Sequence, residues 1–103
     1  MIEKIGAREA RQMIEAGEAA VVDVRPAQLF AMAHIPGALS LPEGTFDEQD
    51  ALRVLPDKST PVIVYCQVGV LSEMASARLD SYGYEQVLDM GGIVAWPYET
   101  AAE

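Results

Sequence analysis

Short apolar runs alternate along this chain with segments whose apolar residues recur at helical spacing. The runs predict strands buried in a sheet, and the periodic segments predict amphipathic helices. The predicted strands are 2–5, 19–24, 38–41, 62–65 and 87–89, and the predicted helices are 7–16, 26–32, 47–55, 72–81 and a closing helix from Gly91 that is interrupted near Pro97. Strands that are separated by helices need crossover connections, so the pattern predicts an α/β fold with a small, mostly parallel sheet and helices on both faces.

Residues with known roles at helix ends support these boundaries. Asp47 and Ser72 are good N-caps, and proline is tolerated at a first helical position, which is where Pro26 lies. Gly17 and Gly83 follow the last periodic residues of two helices, as helix-terminating glycines do. A chain of 103 residues provides for one core of ordinary size, so a single domain over residues 1–103 is predicted.

Composition and charge restrict the partners. Apolar residues make up 50% of the chain and charged residues 22%, which is typical of a globular protein. Seven basic and sixteen acidic side chains give a formal net charge of −9, so long-range repulsion argues against nucleic acid or an anionic membrane surface as a partner. The beginning of the chain does not resemble a secretory signal, and no run approaches the roughly 20 apolar residues of a membrane span. We therefore expect a cytoplasmic protein.

The only cysteine, Cys66, provides the candidate chemistry. It ends the apolar run 61–66 and precedes a short loop with Gly69, which leads into a predicted helix. Unpaired N–H groups and the dipole at a helix N-terminus stabilise an anion, so this position favours a thiolate. A lone cysteine excludes an internal disulfide and a CxxC metal or redox pair. Free cysteines are most often small buried hydrophobes, so core packing is the competing interpretation.

Three segments, in order along the chain, resemble the rhodanese family of sulfurtransferases. The segment Cys66-Gln67-Val68-Gly69-Val70-Leu71-Ser72 is similar to the family's active-site loop. Asp23-Val24-Arg25 with 33–38 resembles its N-terminal signature, and 91–96 resembles its C-terminal one. Two positions depart from the pattern: Leu71 stands where many members have arginine, and Ala33 stands where glycine is usual. The loop therefore lacks a fixed positive charge.

The resemblance implies a rhodanese-like fold and a two-step sulfur transfer. Cys66 would take the outer sulfur of a donor such as thiosulfate, hold it as a persulfide and pass it to cyanide, a thiol or a sulfur-relay protein. The backbone N–H groups of the loop would bind the substrate and stabilise the persulfide, and no metal or organic cofactor is implied. These substrate-binding residues are Gln67, Val68, Gly69, Val70, Leu71 and Ser72.

Four further residues have side chains that could bind a ligand or support the site, and a role is predicted for each. Ligands of parallel sheets bind at the carboxyl ends of strands, which places Asp23 and Arg25 on the same edge as Cys66. Arg25 could hold an anion, but we favour a structural role in which it fastens a loop. Asp23 is expected to accept backbone N–H bonds in a turn. His34, in a turn, is expected to bond to the backbone rather than to act as a base, and Trp96 is expected to anchor the end of the chain by packing.

Two other functions remain open at this point. Phosphatases of a related fold use a longer loop, with arginine six positions after the cysteine, where this chain has Ser72, so phosphate transfer is disfavoured. A catalytically weak module that binds a protein or senses oxidants remains the main alternative, because Leu71 removes the loop cation. Val68, Val70 and Leu71 could then form a docking patch, whereas Met13 and Met74 are expected to fill gaps in the core.

Overall fold

One sheet of five parallel strands organises the computed structural model, which describes residues 1–103. The strands are β1 (Ile2–Lys4), β2 (Ala20–Asp23), β3 (Leu39–Ser40), β4 (Val62–Cys66) and β5 (Val87–Gly92). Their order across the sheet is β1-β5-β4-β2-β3. The helices are α1 (Ala7–Glu15), α2 (Ala27–Met32), α3 (Glu48–Val54) and α4 (Val70–Ser81), with one 3-10 turn at Ile93–Ala95. The predicted α/β fold is confirmed, because every neighbouring pair of strands is parallel.

The central strand β4 is buried along its whole length, since helices cover both faces of the sheet. Alternate side chains point to opposite faces of a strand. Val62, Val64 and Cys66 therefore join the larger apolar cluster, which is closed by residues of α3 and α4. Ile63 and Tyr65 join the second cluster, with residues of α1 and α2. The continuous apolar run at 61–66 thus reflects a strand that must be apolar on both sides.

Helix α4 begins two residues earlier than predicted, at Val70, so the expected N-cap at Ser72 is wrong. Gly69 precedes the helix with φ of 107°, a conformation that side chains strongly disfavour. Ser72 lies inside the first turn, where its hydroxyl donates to the Gly69 carbonyl at 3.1 Å. The sequence pattern showed a good capping residue, but the left-handed glycine decides where the chain enters the helix.

The predicted closing helix from Gly91 is also wrong. Strand β5 continues to Gly92, and Gly91 and Gly92 pair with Tyr65 and Cys66 after a one-residue shift in register. The Asp89 carboxylate accepts the Gly91 N–H at 2.9 Å and supports this irregular stretch. Only a single 3-10 turn follows. Pairing with β4 therefore decides the conformation of the two glycines.

Of three other side chains with predicted roles, two are as expected and one is not. Asp47 caps α3 as predicted, in a reciprocal capping box with Asp50. Trp96 is buried against Tyr98 and donates to the Glu99 carbonyl at 3.0 Å, which confirms it as a packing anchor. Met74, expected in the core, is instead 51% exposed on α4. No helix has both the length and the apolar character needed to cross a bilayer.

The remaining expectations, one for a core side chain and three for helix ends, are confirmed, with a shift of one residue at Pro26. Met13 packs against the second apolar cluster. Gly17 and Gly83 each follow directly after a helix C-cap. Pro26 stands immediately before α2 rather than inside its first turn.

Candidate active site

Cys66 lies at the carboxyl end of β4, on the edge of the sheet where substrate-binding loops of parallel sheets gather. The residue is 1% exposed and belongs to the larger apolar cluster, which by itself fits a packing cysteine. Its Sγ, however, accepts a hydrogen bond from the Gly69 N–H at 3.0 Å. This donor favours negative charge on the sulfur, and it sets the thiol apart from a purely apolar core position.

The loop around the thiol is formed by residues 67–69 and the first turn of α4. The N–H groups of Val70, Leu71 and Ser72 begin this helix, so they have no carbonyl partner within it. Together with the helix dipole they favour an anion on the same side as Cys66. The bond from the Ser72 hydroxyl to Gly69 closes this turn. The predicted loop residues therefore run from the end of β4 into the first turn of α4, and the Gly69 N–H contacts the sulfur.

Gly91 and Gly92 support the loop from beneath, a role that the sequence analysis missed. Gly92 lies so close to the loop that a Cβ built on it would be 2.3 Å from the Gln67 carbonyl oxygen and 2.7 Å from the Val68 Cα. The Val94 N–H also donates to the Gln67 carbonyl, at 3.4 Å. Adjacent glycines at the end of a strand are a recognised signal of close backbone approach, and this signal was present in the sequence.

Gly92→Ala is therefore expected to displace the loop. The new methyl group would meet backbone atoms, which cannot rotate away, so we expect a loss of about 1–3 kcal/mol in the free energy of unfolding. The sulfur loading of Cys66 that the resemblance implies should slow by up to about 100-fold, since small misplacements of reacting groups have such effects. Denaturant unfolding and mass spectrometry of loaded protein measure the two effects.

Gly6→Ala serves as the matched control for that substitution. Gly6 has φ of −91° and no atom within 4 Å of a built Cβ. The same methyl group should therefore leave loading close to that of the unmodified protein, with a loss of stability of no more than about 1 kcal/mol, because Gly6 is the N-cap of α1, where alanine is less favourable than glycine. If Gly92→Ala behaves like this control, the two glycines do not support the loop.

Asp23 and Arg25 form a buried ion pair on the same edge of the sheet. The Arg25 guanidinium donates to both Asp23 carboxylate oxygens, with Nη2 to Oδ2 at 2.6 Å and Nε to Oδ1 at 3.0 Å. The Asp23 carboxylate also accepts the backbone N–H of Arg25 at 2.9 Å, as the sequence analysis expected of a turn. The hydrogen bond to Asp23 raises the pKa of Arg25. These bonds thus hold the side chains of Asp23 and Arg25 in place at this edge of the sheet.

The remaining donors of Arg25 fasten the neighbouring segments. Nη1 donates to the Gln67 side-chain oxygen at 3.3 Å, and Nη2 donates to the Ala33 carbonyl at 2.5 Å. The guanidinium therefore ties the first residue of the loop to the end of α2. These contacts support the structural interpretation of Arg25 rather than an anion-binding one.

His34 lies in a different environment from the thiol. Its Nδ1 is 2.8 Å from the Phe30 carbonyl oxygen, and its ring stacks on the Phe30 ring at 4.0 Å. Phe30 belongs to the second apolar cluster, on the face of the sheet opposite the cluster of Cys66. The structure thus supports the expected backbone-bonded histidine and brings no base to Cys66. No group of three or more His, Cys, Asp or Glu side chains is arranged to hold a metal ion.

Comparison with known proteins assigns the family. The model of the rhodanese-like domain matches residues 6–99, which is nearly the whole chain. The chain belongs to the rhodanese-like domain family. The resemblance drawn from the three sequence segments is therefore confirmed.

Relatives of this rhodanese-like domain include named sulfurtransferases. The probable adenylyltransferase/sulfurtransferase MoeZ of Mycobacterium tuberculosis is 35% identical over 91 residues, which cover 86% of this chain and 23% of MoeZ. The chain spans about a quarter of the length of the first curated relatives that it matches. The family and this relative support a sulfurtransferase role.

Solved structures show the same fold. The rhodanese-like domain of the Anabaena protein Alr3790 has a TM-score of 0.84 at 28% identity, covering 100% of this chain and 81% of that one. A rhodanese from Escherichia coli, solved with anions, has a TM-score of 0.75 at 27% identity, covering 82% and 99% of the two chains.

The surroundings of the loop in this rhodanese-like domain include several exposed apolar side chains. Val68, Val70, Met74 and Val94 are all more than half exposed, and we call these four residues the apolar rim. Of the basic side chains that reach this region, Arg25 is paired with Asp23, and Lys4 is paired with Asp89 at 2.9 Å and with Glu73 of α4 at 3.5 Å. The loop residues 67–72 carry no cation, so the donors that the loop itself offers to an anion are its backbone N–H groups.

Proposed function

We propose that this chain is a sulfurtransferase that carries sulfane sulfur as a persulfide on Cys66. The observation that carries the proposal is the Gly69 N–H bond to Sγ at the N-terminus of α4, which favours negative charge on the reacting sulfur. The donor is thiosulfate, a low-molecular-weight persulfide or a protein persulfide, and the acceptor is a thiophile such as cyanide, a thiol or a sulfur-relay protein. The reaction needs a reduced thiol, which agrees with a single domain working in the cytoplasm.

Sulfur transfer proceeds in two displacement steps. The Cys66 thiolate attacks the outer sulfur of the donor, and a new S–S bond forms as the donor's own bond to that sulfur breaks. The electron pair leaves with sulfite when the donor is thiosulfate, or with a thiolate when the donor is a persulfide. Cyanide then attacks the terminal sulfur and departs as thiocyanate, which returns Cys66 as a thiolate. The N–H groups of Gly69 and the following turn stabilise the negative persulfide between the steps.

Intact mass spectrometry of the native chain tests this proposal. The protein is exposed to thiosulfate and, separately, to a cysteine desulfurase with its substrate, and cyanide is added afterwards. We expect a gain of about 32 Da, the mass of one sulfur, that disappears with cyanide. Absence of loading from both sources would refute the sulfurtransferase and leave the binding module as the better explanation.

The apolar rim favours that second candidate, a catalytically weak rhodanese-like module that docks a protein or senses oxidants, and it equally suits a sulfurtransferase that takes sulfur from a protein donor. Exposed apolar side chains grouped at one site mark interaction surfaces more often than scattered ones do. Val70 and Met74 are four residues apart on α4 and so lie on one face of the helix, beside the loop. A protein donor that approaches Cys66 would cover this face.

Met74→Glu is expected to separate protein contact from thiol chemistry. A charge buried without a partner in such a contact is unfavourable, and a cost of about 1.4 kcal/mol is enough to lower the rate of loading from the desulfurase about tenfold. Alkylation of Cys66 by iodoacetamide should proceed at the unmodified rate. Met32→Glu is the matched control, because Met32 is also an exposed methionine but lies on α2. If Met74→Glu and Met32→Glu load sulfur from the desulfurase at equal rates, the apolar rim does not contact the protein donor.

A further inference from the structure

A cavity of about 480 Å³ opens on the same edge of the sheet as the thiol loop. It lies between the turn from β2 into α2, the segment 42–45 and Leu71 of the loop. Its volume falls within the range of about 300–1,000 Å³ that is usual for small-molecule sites. None of the functions derived above uses this cavity.

Leu71 connects the cavity with the site of sulfur chemistry. It is one of the predicted loop residues, it lines the cavity, and it packs against the cluster that contains both Cys66 and Val24. Val24 itself lines the cavity, and its N–H donates to the Tyr65 carbonyl at 3.0 Å, directly beside Cys66. Val24 and Leu71 thus line the cavity and also pack in the apolar cluster that contains Cys66.

The wall of the cavity that residues 42–45 form is held in place by Arg78 of α4. Arg78 donates to the Glu43 carbonyl oxygen at 2.7 Å, to the Glu43 carboxylate at 3.2 Å and to the Phe46 carbonyl. The Glu43 N–H donates to the Val24 carbonyl at 3.0 Å, which ties this segment to the end of β2. The cavity is therefore preformed, so a ligand does not have to order its walls on binding.

The chemistry of the walls selects against small anions. Val24, Ala27, Pro42 and Leu71 make the lining largely apolar, and Glu43 is its only charged residue. Since that charge is negative and the nearby Arg78 is already bonded to it, a dianion such as thiosulfate finds no cation here. An uncharged organic group would bury apolar surface in the same space.

We propose that this cavity binds the uncharged organic group of a low-molecular-weight sulfur donor while Cys66 attacks the sulfane sulfur. The inference rests on the proposed sulfurtransferase function and narrows its donor to an organic persulfide or thiosulfonate. With a thiosulfonate, the Cys66 thiolate forms a bond to the outer sulfur, the bond between the two donor sulfurs breaks, and its electron pair leaves with the organic sulfinate. The organic group stays in the cavity until the sulfinate dissociates.

Two thiosulfonates of equal charge test the inference. Benzenethiosulfonate and methanethiosulfonate have the same reacting sulfur but differ in the group that the cavity would hold. We expect kcat/KM for loading of Cys66 to be about tenfold or more higher with the benzene compound, as differences of this size follow from small changes in buried apolar area. Thiosulfate should be the poorest of the three donors. Mass spectrometry at timed intervals measures the loading rate.

Filling the cavity should remove this preference. Ala27→Trp places a large side chain in the cavity from α2, and Thr45→Trp does so from the opposite wall, so one variant remains informative should the other fail to fold. In each variant, the ratio of kcat/KM for benzenethiosulfonate to kcat/KM for methanethiosulfonate should fall towards one. Met32→Trp, on the same helix as Ala27 but outside the cavity, should keep the ratio of the unmodified protein.

The outcomes distinguish this inference from the function on which it rests. Equal kcat/KM for the two thiosulfonates in the unmodified protein, or a preference that survives in both filled variants, would overturn the cavity as the organic site while leaving sulfur transfer intact. Failure to load from any donor would instead refute the sulfurtransferase itself.

Discussion

Cys66→Ser is expected to abolish sulfur loading from every donor. A serine hydroxyl fits the space of the thiol, and the Gly69 N–H that donates to Sγ can donate to an oxygen in its place, so the fold should be retained. The oxygen cannot form the disulfide-type bond on which the persulfide depends, and it does not ionise in the way a thiol does. Intact mass spectrometry after exposure to thiosulfate or to the desulfurase should show no gain, while thermal unfolding shows a cooperative transition.

Ser76→Ala is the control for this substitution. Ser76 is buried on α4, and its hydroxyl has no hydrogen-bond partner, so its removal changes a buried side chain of the adjoining helix and leaves the Gly69 bond to the thiol in place. This variant should load sulfur as the unmodified chain does. Because Cys66 is the only cysteine, a cyanide-sensitive mass gain in Cys66→Ser would contradict persulfide chemistry at this residue outright.

Arg25→Met is expected to have the largest effect on stability. The substitution leaves the Asp23 carboxylate, which is 0% exposed, without its guanidinium partner. Breaking a buried ion pair in this way costs about 3–5 kcal/mol, because one charge stays buried and uncompensated. Gln67 and Ala33 lose a donor as well, so sulfur loading should also slow. Urea unfolding at constant pH measures the change in free energy.

Two further variants make this prediction specific. Arg53→Met removes the arginine of an exposed pair with Asp50, and such pairs contribute little, so its unfolding midpoint should hardly move. The double variant Asp23→Leu with Arg25→Met removes both buried charges and should be more stable than Arg25→Met alone. If Arg25→Met unfolds at the same urea concentration as Arg53→Met, the pair does not stabilise this edge of the sheet.

The type and order of the secondary structure elements followed from local pattern. A strand covered on both faces must be apolar throughout, so 62–65 was recognisable as a central strand, and Asp47 identified the start of its helix because it satisfies unpaired N–H groups. The position of Cys66 at the edge followed from the crossover topology that alternating elements impose. The ion pair between Asp23 and Arg25 was not predicted: the sequence placed both residues at one edge of the sheet and indicated a structural role for Arg25, but it showed neither the pairing nor the contacts of Arg25 to Gln67 and Ala33.

The sequence by itself determined the α/β class, the family and the one candidate nucleophile, because periodicity, order and residue type are properties of the chain alone. The tertiary structure decided the rest. Gly92 stays in a strand rather than a helix because β4 pairs with it, and Met74 is exposed because nothing packs on that side of α4. The cavity beside Leu71 exists because Arg78 holds a segment that is 32 to 35 residues away in sequence. Contacts between residues that are distant in sequence decide such features, and the local sequence pattern does not indicate them.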